Sequence, residues 1–196
     1  KPTLAYVILI TADIEGLDGI VLFADWLLKE SGRMSKSSLH PEALGLTLAI
    51  ERAERSAGGV EEFYFVCIST RELLERAEKG KLAIPIDVCL DAKSVYDTLQ
   101  SGSSPARLAD KQCAIDLVIV RDAVRRAGVT LRWAPSALQL ADGLTKGTAE
   151  ASDTLRPVPR SGTYQLRAEE EALADRARER EFRKRRGEDV DAAASP

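Results

Sequence analysis

Three acidic side chains stand where a carboxylate can be held and aimed: Glu42 near the start of an expected helix, Asp91 at the carboxyl end of a short apolar strand, and Asp142 in a later helix. Separated carboxylates that converge suit a hard divalent cation. Mg²⁺ takes oxygen ligands, and two such ions about 3.5–4 Å apart can activate a water and stabilise the leaving oxygen in phosphodiester cleavage. Spacing alone does not decide for this chemistry. The chain has 31 acidic residues, so some three always fall in a suggestive order, and solvated carboxylates at element ends are the commoner outcome. A second candidate is the basic loop GRMSKSS, whose Arg33, Lys36 and Ser37 precede a helix amino end and could face a nucleic-acid phosphate; a solvated loop accounts for it equally well. His40, the single histidine, lies two positions before Glu42. That spacing puts the two on different helix faces, so His40 reads as a solvent-facing or capping residue rather than a general base or ligand.

The elements that must position these groups follow from the apolar pattern. Leu4–Ile10 (LAYVILI) and Ile20–Leu28 are apolar runs separated by a polar, glycine-punctuated turn, which predicts two antiparallel strands. Serines before Leu39 and a proline tolerated in the first turn predict a helix from Leu39 to Arg55, with Leu39, Ala43, Leu46 and Ile50 as its buried stripe and Gly58 and Gly59 as its stop. Val60–Lys79 is mixed, since EEFYFVCI could begin as strand while TRELLERAEKGK is helical in composition, and helix is the expectation for the whole segment. Pro85–Leu90 is short enough for a buried central strand that delivers Asp91 at its end. Helices are expected over Ala92–Gln100, Leu108–Ala127 and Ser136–Thr145, with a strand over Thr130–Trp133. Trp26 and Trp133, both among apolar neighbours in strands, are expected in the core rather than stacking on bases. After Gly147 the pattern dissolves. Residues 151–196 are expected to form a charged, flexible tail, with Arg167–Arg186 too mixed in charge for core.

Composition narrows the class. At 196 residues there is room for one domain, expected over residues 1–150, plus this appendage. A hydrophobic share of 44% with 30% charged residues excludes a wholly disordered or collagen-like chain. A net charge of −3 without a basic recognition helix or zinc-ligand spacing disfavours a DNA-binding regulator. Cys67, Cys89 and Cys113, odd in number and unpaired in spacing, read as reduced thiols. With no apolar run near about 18 residues and no signal-peptide pattern, the expected place is intracellular, cytoplasmic or nuclear, neither secreted nor on a membrane. The chain opens on Lys1 and runs almost at once into a strand, as if its frame were entered midway.

Several ordered blocks add a resemblance. SSLHPEALGLTLAIE (residues 37–51), DAKSVYDTLQS (91–101), AIDLVIVRDAVRRAGVTLRWAPSALQLADGLTKG (114–147) and RSGTYQL (160–166) resemble the ribonuclease H region ending the Pol polyprotein of copia-type long-terminal-repeat retrotransposons. The most specific block is W-x-P-S-x-x-Q-L-A-D-G-L-T-K, Trp133 to Lys146. The resemblance spans residues 4–166. It implies an α/β chain of ribonuclease H-like fold, a mixed β-sheet flanked by helices, that hydrolyses the RNA strand of an RNA–DNA hybrid during reverse transcription. It implies Mg²⁺, with Mn²⁺ as a substitute, and the reverse transcriptase portion of the same polyprotein as partner.

Carried over by position, Glu42 matches the family's first-helix glutamate, Asp91 the aspartate after the central strand, and Asp142 the last aspartate, in A-D-G-L-T-K. The resemblance makes each a metal ligand, with Glu42 and Asp91 nearest the attacked phosphate. Two departures stand out. The strand bearing the family's first aspartate would precede Leu4–Ile10, and Asp13, Asp18 and Asp25 fit its role poorly, so three of four expected carboxylates are present. The family's H-x-x-x-K-H-I-D pattern survives here as LADKQCAID, with Lys111 and Asp116 kept and the histidines gone. The alternative expectation is therefore a catalytically dead remnant or a non-catalytic binding module with the same fold.

Overall fold

The apolar runs ahead of Thr11 and after Asp18 pair as an antiparallel hairpin, β1 (Thr3–Thr11) with β2 (Asp18–Glu30), its register shifting by a bulge between Ile8 and Leu9. In this computed structural model the described residues are 2–11, 18–31, 39–64, 68–101, 110–146, 148, 153–166 and 169–185. The Tyr6 hydroxyl donates to Asp25 Oδ2 at 2.8 Å across the hairpin. Asp25 is thereby engaged in the sheet, while Asp13 lies outside the described residues.

Helix α1 (Leu39–Tyr64) buries the expected stripe of Ala43, Leu46 and Ile50. It does not stop at Gly58 and Gly59 but runs on to Tyr64. Packing outweighs the poor helix propensity of glycine here, because Gly58 is buried and a Cβ on it would sit 3.6 Å from the Leu73 side chain of α2 (Thr70–Glu78). Thus Val60–Lys79, expected as one helix, is divided between the end of α1 and a separate α2, which Ser69 caps by accepting from the Glu72 amide at 3.2 Å.

Strand β3 (Asp87–Leu90) runs parallel to β4 (Thr130–Trp133), pairing Asp87 with Thr130 and Leu90 with Trp133. Between them lie α3 (Lys93–Gln100) and α4 (Lys111–Ala127). Asp110 caps α4 by accepting from the Gln112 and Cys113 amides, and Gly128 closes it at φ 63°, the left-handed conformation a glycine adopts without steric cost. The expected helix Ser136–Thr145 is instead a 3₁₀ turn, Ser136–Leu138, and a short α5 (Asp142–Thr145), following Pro135.

After Gly147, where the apolar pattern breaks up, the chain nonetheless returns to the sheet. Helix α6 (Pro157–Ser161) and strand β5 (Thr163–Gln165) pack on β2, with β5 antiparallel to it. Helix α7 (Glu169–Arg185) follows, with Ala172 buried, and touches β4 through Arg176, whose guanidinium lies 4.9 Å from the centre of the Trp133 ring.

The chain is thus mixed α/β, with helices flanking an open sheet in two parts ordered β1-β2-β5 and β3-β4. The main core joins α1, α3 and α4 to β3 and β4 through Ile50, Val88, Val95, Leu117, Val120 and Leu131. A smaller core gathers Val21, Leu140 and Val158 against Val7, Leu9, Phe23 and Tyr164. Helix α1 packs on both β1 and β3, and no described strand pairs with the outer edge of β1 or with the side of β3 away from β4. Among the described residues no helix is long and apolar enough to cross a membrane.

Two expectations about single residues need correction. Trp26, paired with Val7 in the middle of the hairpin, is 57% exposed, because its ring lies on the solvent side of Phe23, 5.4 Å away between centroids, rather than within the small core that Val7 and Phe23 line; Trp133 is buried as expected. His40 is only 3% exposed, and its Nε2 meets Asp116 Oδ2 at 2.7 Å. The acceptor that makes burial of the imidazole affordable comes from α4, 76 positions away, which no local pattern around His40 announces.

Candidate carboxylate site

Glu42, Asp91 and Asp142 come from the first turn of α1, the residue after β3 and the first residue of α5. The fold brings them into one electrostatic neighbourhood. Partial burial first, and then the charges of Asp91 and Asp142, hold the Glu42 carboxyl above its usual range, while the Lys146 ammonium pulls it back. The three expected site residues, spread over 100 positions of sequence, are thus brought within electrostatic reach of Glu42.

Asp91 is the most firmly held of the three. Ser136 Oγ donates to its Oδ2 at 2.9 Å, and the buried Trp133 donates from Nε1 to its backbone carbonyl at 3.0 Å. The donors are the last residue of β4 and a residue of the turn that follows it. Next to it, Gln139 Nε2 donates to the Cys89 carbonyl at 3.4 Å, on the side of β3 that faces away from β4. Tyr164 anchors the same segment from β5 by donating to the Leu138 carbonyl at 2.6 Å, and burial pushes its phenol far up. Asp142 is fixed by its own short helix and by Lys146, whose Nζ lies 2.5 Å from Asp142 Oδ2 and whose amide donates to the Asp142 carbonyl at 2.8 Å.

Ser136 and Lys146 were not singled out from the sequence as site residues. Both lie inside the block Trp133–Lys146, and Lys146 stands four positions after Asp142, where a helix brings two side chains together. Arg33, Lys36 and Ser37 lie outside the described residues, as does Cys67. Asp116 is buried with His40 and also accepts from Gln112 Nε2 at 3.4 Å, so its part in the described structure is to tie α4 to α1.

The donor chemistry fits a hard divalent cation: the groups are all carboxylates, their charges already repel, and an ammonium stands among them as a ready-made cation. Their spacing is open, since among the described residues no three acidic, histidine or cysteine side chains close around a single point. Compared with family models, with curated proteins and with solved structures, the chain finds no match.

Proposed function

We propose that this chain is the ribonuclease H-like region of a copia-type retrotransposon Pol polyprotein, hydrolysing the RNA strand of RNA–DNA hybrids with Mg²⁺ or Mn²⁺. The observation that carries the reading is that Asp91 and Asp142, from elements distant in sequence, lie within electrostatic reach of Glu42. A cation bound there supplies an activated water and charge stabilisation for phosphodiester cleavage. Asp91, pinned by Ser136 and Trp133, gives the site its rigid ligand. Glu42 gains from a cation there, because the charges of Asp91 and Asp142 bear on its carboxylate. The hybrid would be recognised by backbone shape and 2′-hydroxyls rather than base sequence, with the reverse transcriptase portion as natural partner.

The finer fold proposed is ribonuclease H-like. The resemblance implies a further strand carrying a fourth carboxylate, and the unpaired edges of β1 and β3, both over α1, are where it would join the two parts of the sheet. The second reading, a non-catalytic module with the same fold, is favoured by one observation: among the described residues only Asp91 and Asp142 push the Glu42 carboxyl up by their charge.

Cleavage of a labelled RNA–DNA hybrid in Mg²⁺ separates the two. The enzyme reading expects cutting of the RNA strand that falls at least about a hundredfold in Asp142→Asn. A folded chain that binds the hybrid without cutting it, in Mg²⁺ or Mn²⁺, supports the binding module instead.

A further inference from the structure

Helix α4 turns one side to the interior, burying Cys113, Ala114, Leu117 and Val120, and with them the Asp116 that meets His40. The opposite side is also apolar. Ile115, Val118 and Ile119 are 55%, 51% and 50% exposed and lie at the three- and four-residue spacings that put side chains on one helix face. Helix formation alone does not ask for them: β-branched residues lose side-chain freedom in a helix, and lysine, glutamate or glutamine would hold an exposed turn better. Nor are they scattered singly, the ordinary state of surface apolar residues, since the three adjoin one another. Two exposed residues of opposite charge close the ridge, Lys111 one turn before Ile115 and Asp122 one turn after Val118.

Positions 111, 115, 118 and 122 alternate steps of four and three, the spacing of a seam along which two helices pack. The order of types along it, lysine, isoleucine, valine, aspartate, is complementary to its own reverse. An inverted second copy, centred between Asp116 and Leu117, sets each Ile115 against Val118 and each Lys111 against Asp122. A copy running the same way would set lysine on lysine and aspartate on aspartate. We propose that this face of α4 is a self-association surface, on which two copies of the chain pack antiparallel about a two-fold axis along the seam of Lys111, Ile115, Val118 and Asp122, with Ile119 at its flank. The same patch serves on both copies, so the contact ends at a dimer rather than a filament. None of these residues belongs to the carboxylate site, and the inference stands apart from the reading of that site. A ridge of three apolar side chains is small for a protein interface, which makes the dimer a weak one, half formed at roughly tens of micromolar.

Sedimentation velocity of the full chain, from about one to a few hundred micromolar, tests this. Wild type should pass reversibly from monomer to dimer over that range. Lys111→Asp and Asp122→Lys each turn both ion pairs of the seam into like-charge contacts, and each should weaken the dimer at least about tenfold. Mixed in equal amounts, the two variants set opposite charges at both ends again, and the mixture should recover the dimer that each alone has lost. Val118→Lys, which puts a charge in the middle of the ridge, should leave a monomer throughout. All three substitutions lie on the exposed side of the helix, and an aspartate in its first turn suits the helix dipole, so the variants should fold, which circular dichroism melts check. A folded wild type that stays monomeric over the whole range overturns the proposal. So does a dimer that the folded variants keep, or growth past the dimer that they leave unchanged, which would belong to another surface such as the edge of β1. Failure of the mixed variants to recover the dimer overturns the antiparallel seam.

Discussion

Two groups of carboxylates in this chain are built in opposite ways. Glu61, fully buried in α1, has both oxygens occupied: Arg76 of α2 donates to Oε1 at 2.8 Å and the Ala83 amide to Oε2 at 2.8 Å. Asp116 is similarly met by His40 and Gln112. Glu42, Asp91 and Asp142 instead gather with Lys146 as the one ammonium acting on Glu42. The difference separates structure from chemistry. A carboxylate that holds the fold together has its lone pairs filled by the chain, whereas a cluster with charge to spare is prepared for something the chain does not provide.

Breaking the saturated group should cost most. Glu61→Ala removes a fully buried carboxylate that accepts from the Ala83 amide and Arg76 and leaves a void between α1 and α2, a loss of about 3 kcal/mol by urea denaturation with no requirement for cation. His40→Ala strands Asp116 between α1 and α4 and should cost about 2 kcal/mol, again the same with and without Mg²⁺. If either loss is rescued by Mg²⁺, the division between the groups is wrong. Ser136→Ala should cost at most about 1 kcal/mol of stability, yet weaken Mn²⁺ binding several-fold, because it frees the Asp91 carboxylate to turn.

The smallest effect has the opposite sign. The folded-state pKa of Glu42 is raised above the ordinary value of 4.5, so the native chain holds that proton more tightly than the unfolded one. Its contribution to stability is complete below the ordinary value and is lost as the pH rises through the raised one. Glu42→Gln should therefore make the cation-free chain slightly more stable at pH 7, by no more than about 0.5 kcal/mol given the accessible side chain, and flatten the stability profile just above pH 4.5. A cation-free Glu42→Gln chain less stable than wild type at pH 7 would place Glu42 with the structural carboxylates.

The elements were legible where the apolar period was unambiguous: the hairpin, the start of α1, β3, α4 and β4 all lie where alternation or a three-to-four spacing puts them. What the chain pattern left out were contacts between distant residues. His40 looks like a surface residue until Asp116 is set against it, Gly58 looks like a helix stop until Leu73 packs on it, and residues 157–166 look like the start of a tail until β5 pairs with β2. At the site, the identities of Glu42, Asp91 and Asp142 came from ordered sequence blocks, and their convergence is a property of the fold alone. Lys146 and Ser136 went unnoticed because a lysine and a serine carry no signal until a carboxylate lies beside them.

The outer edge of β1 has a bearing on how this chain behaves in a tube. The Ser31 amide donates to the Pro2 carbonyl, so along the first half of the strand Thr3, Ala5 and Val7 turn their backbone groups away from β2. From Thr3 to Thr11 the strand holds no charge and no proline to discourage a newcomer. With no described strand pairing there, such a rail invites intermolecular cross-β pairing at micromolar concentration, which makes inclusion bodies and turbidity the hazard in producing the chain alone, and makes a low protein concentration the setting in which its monomer is best handled.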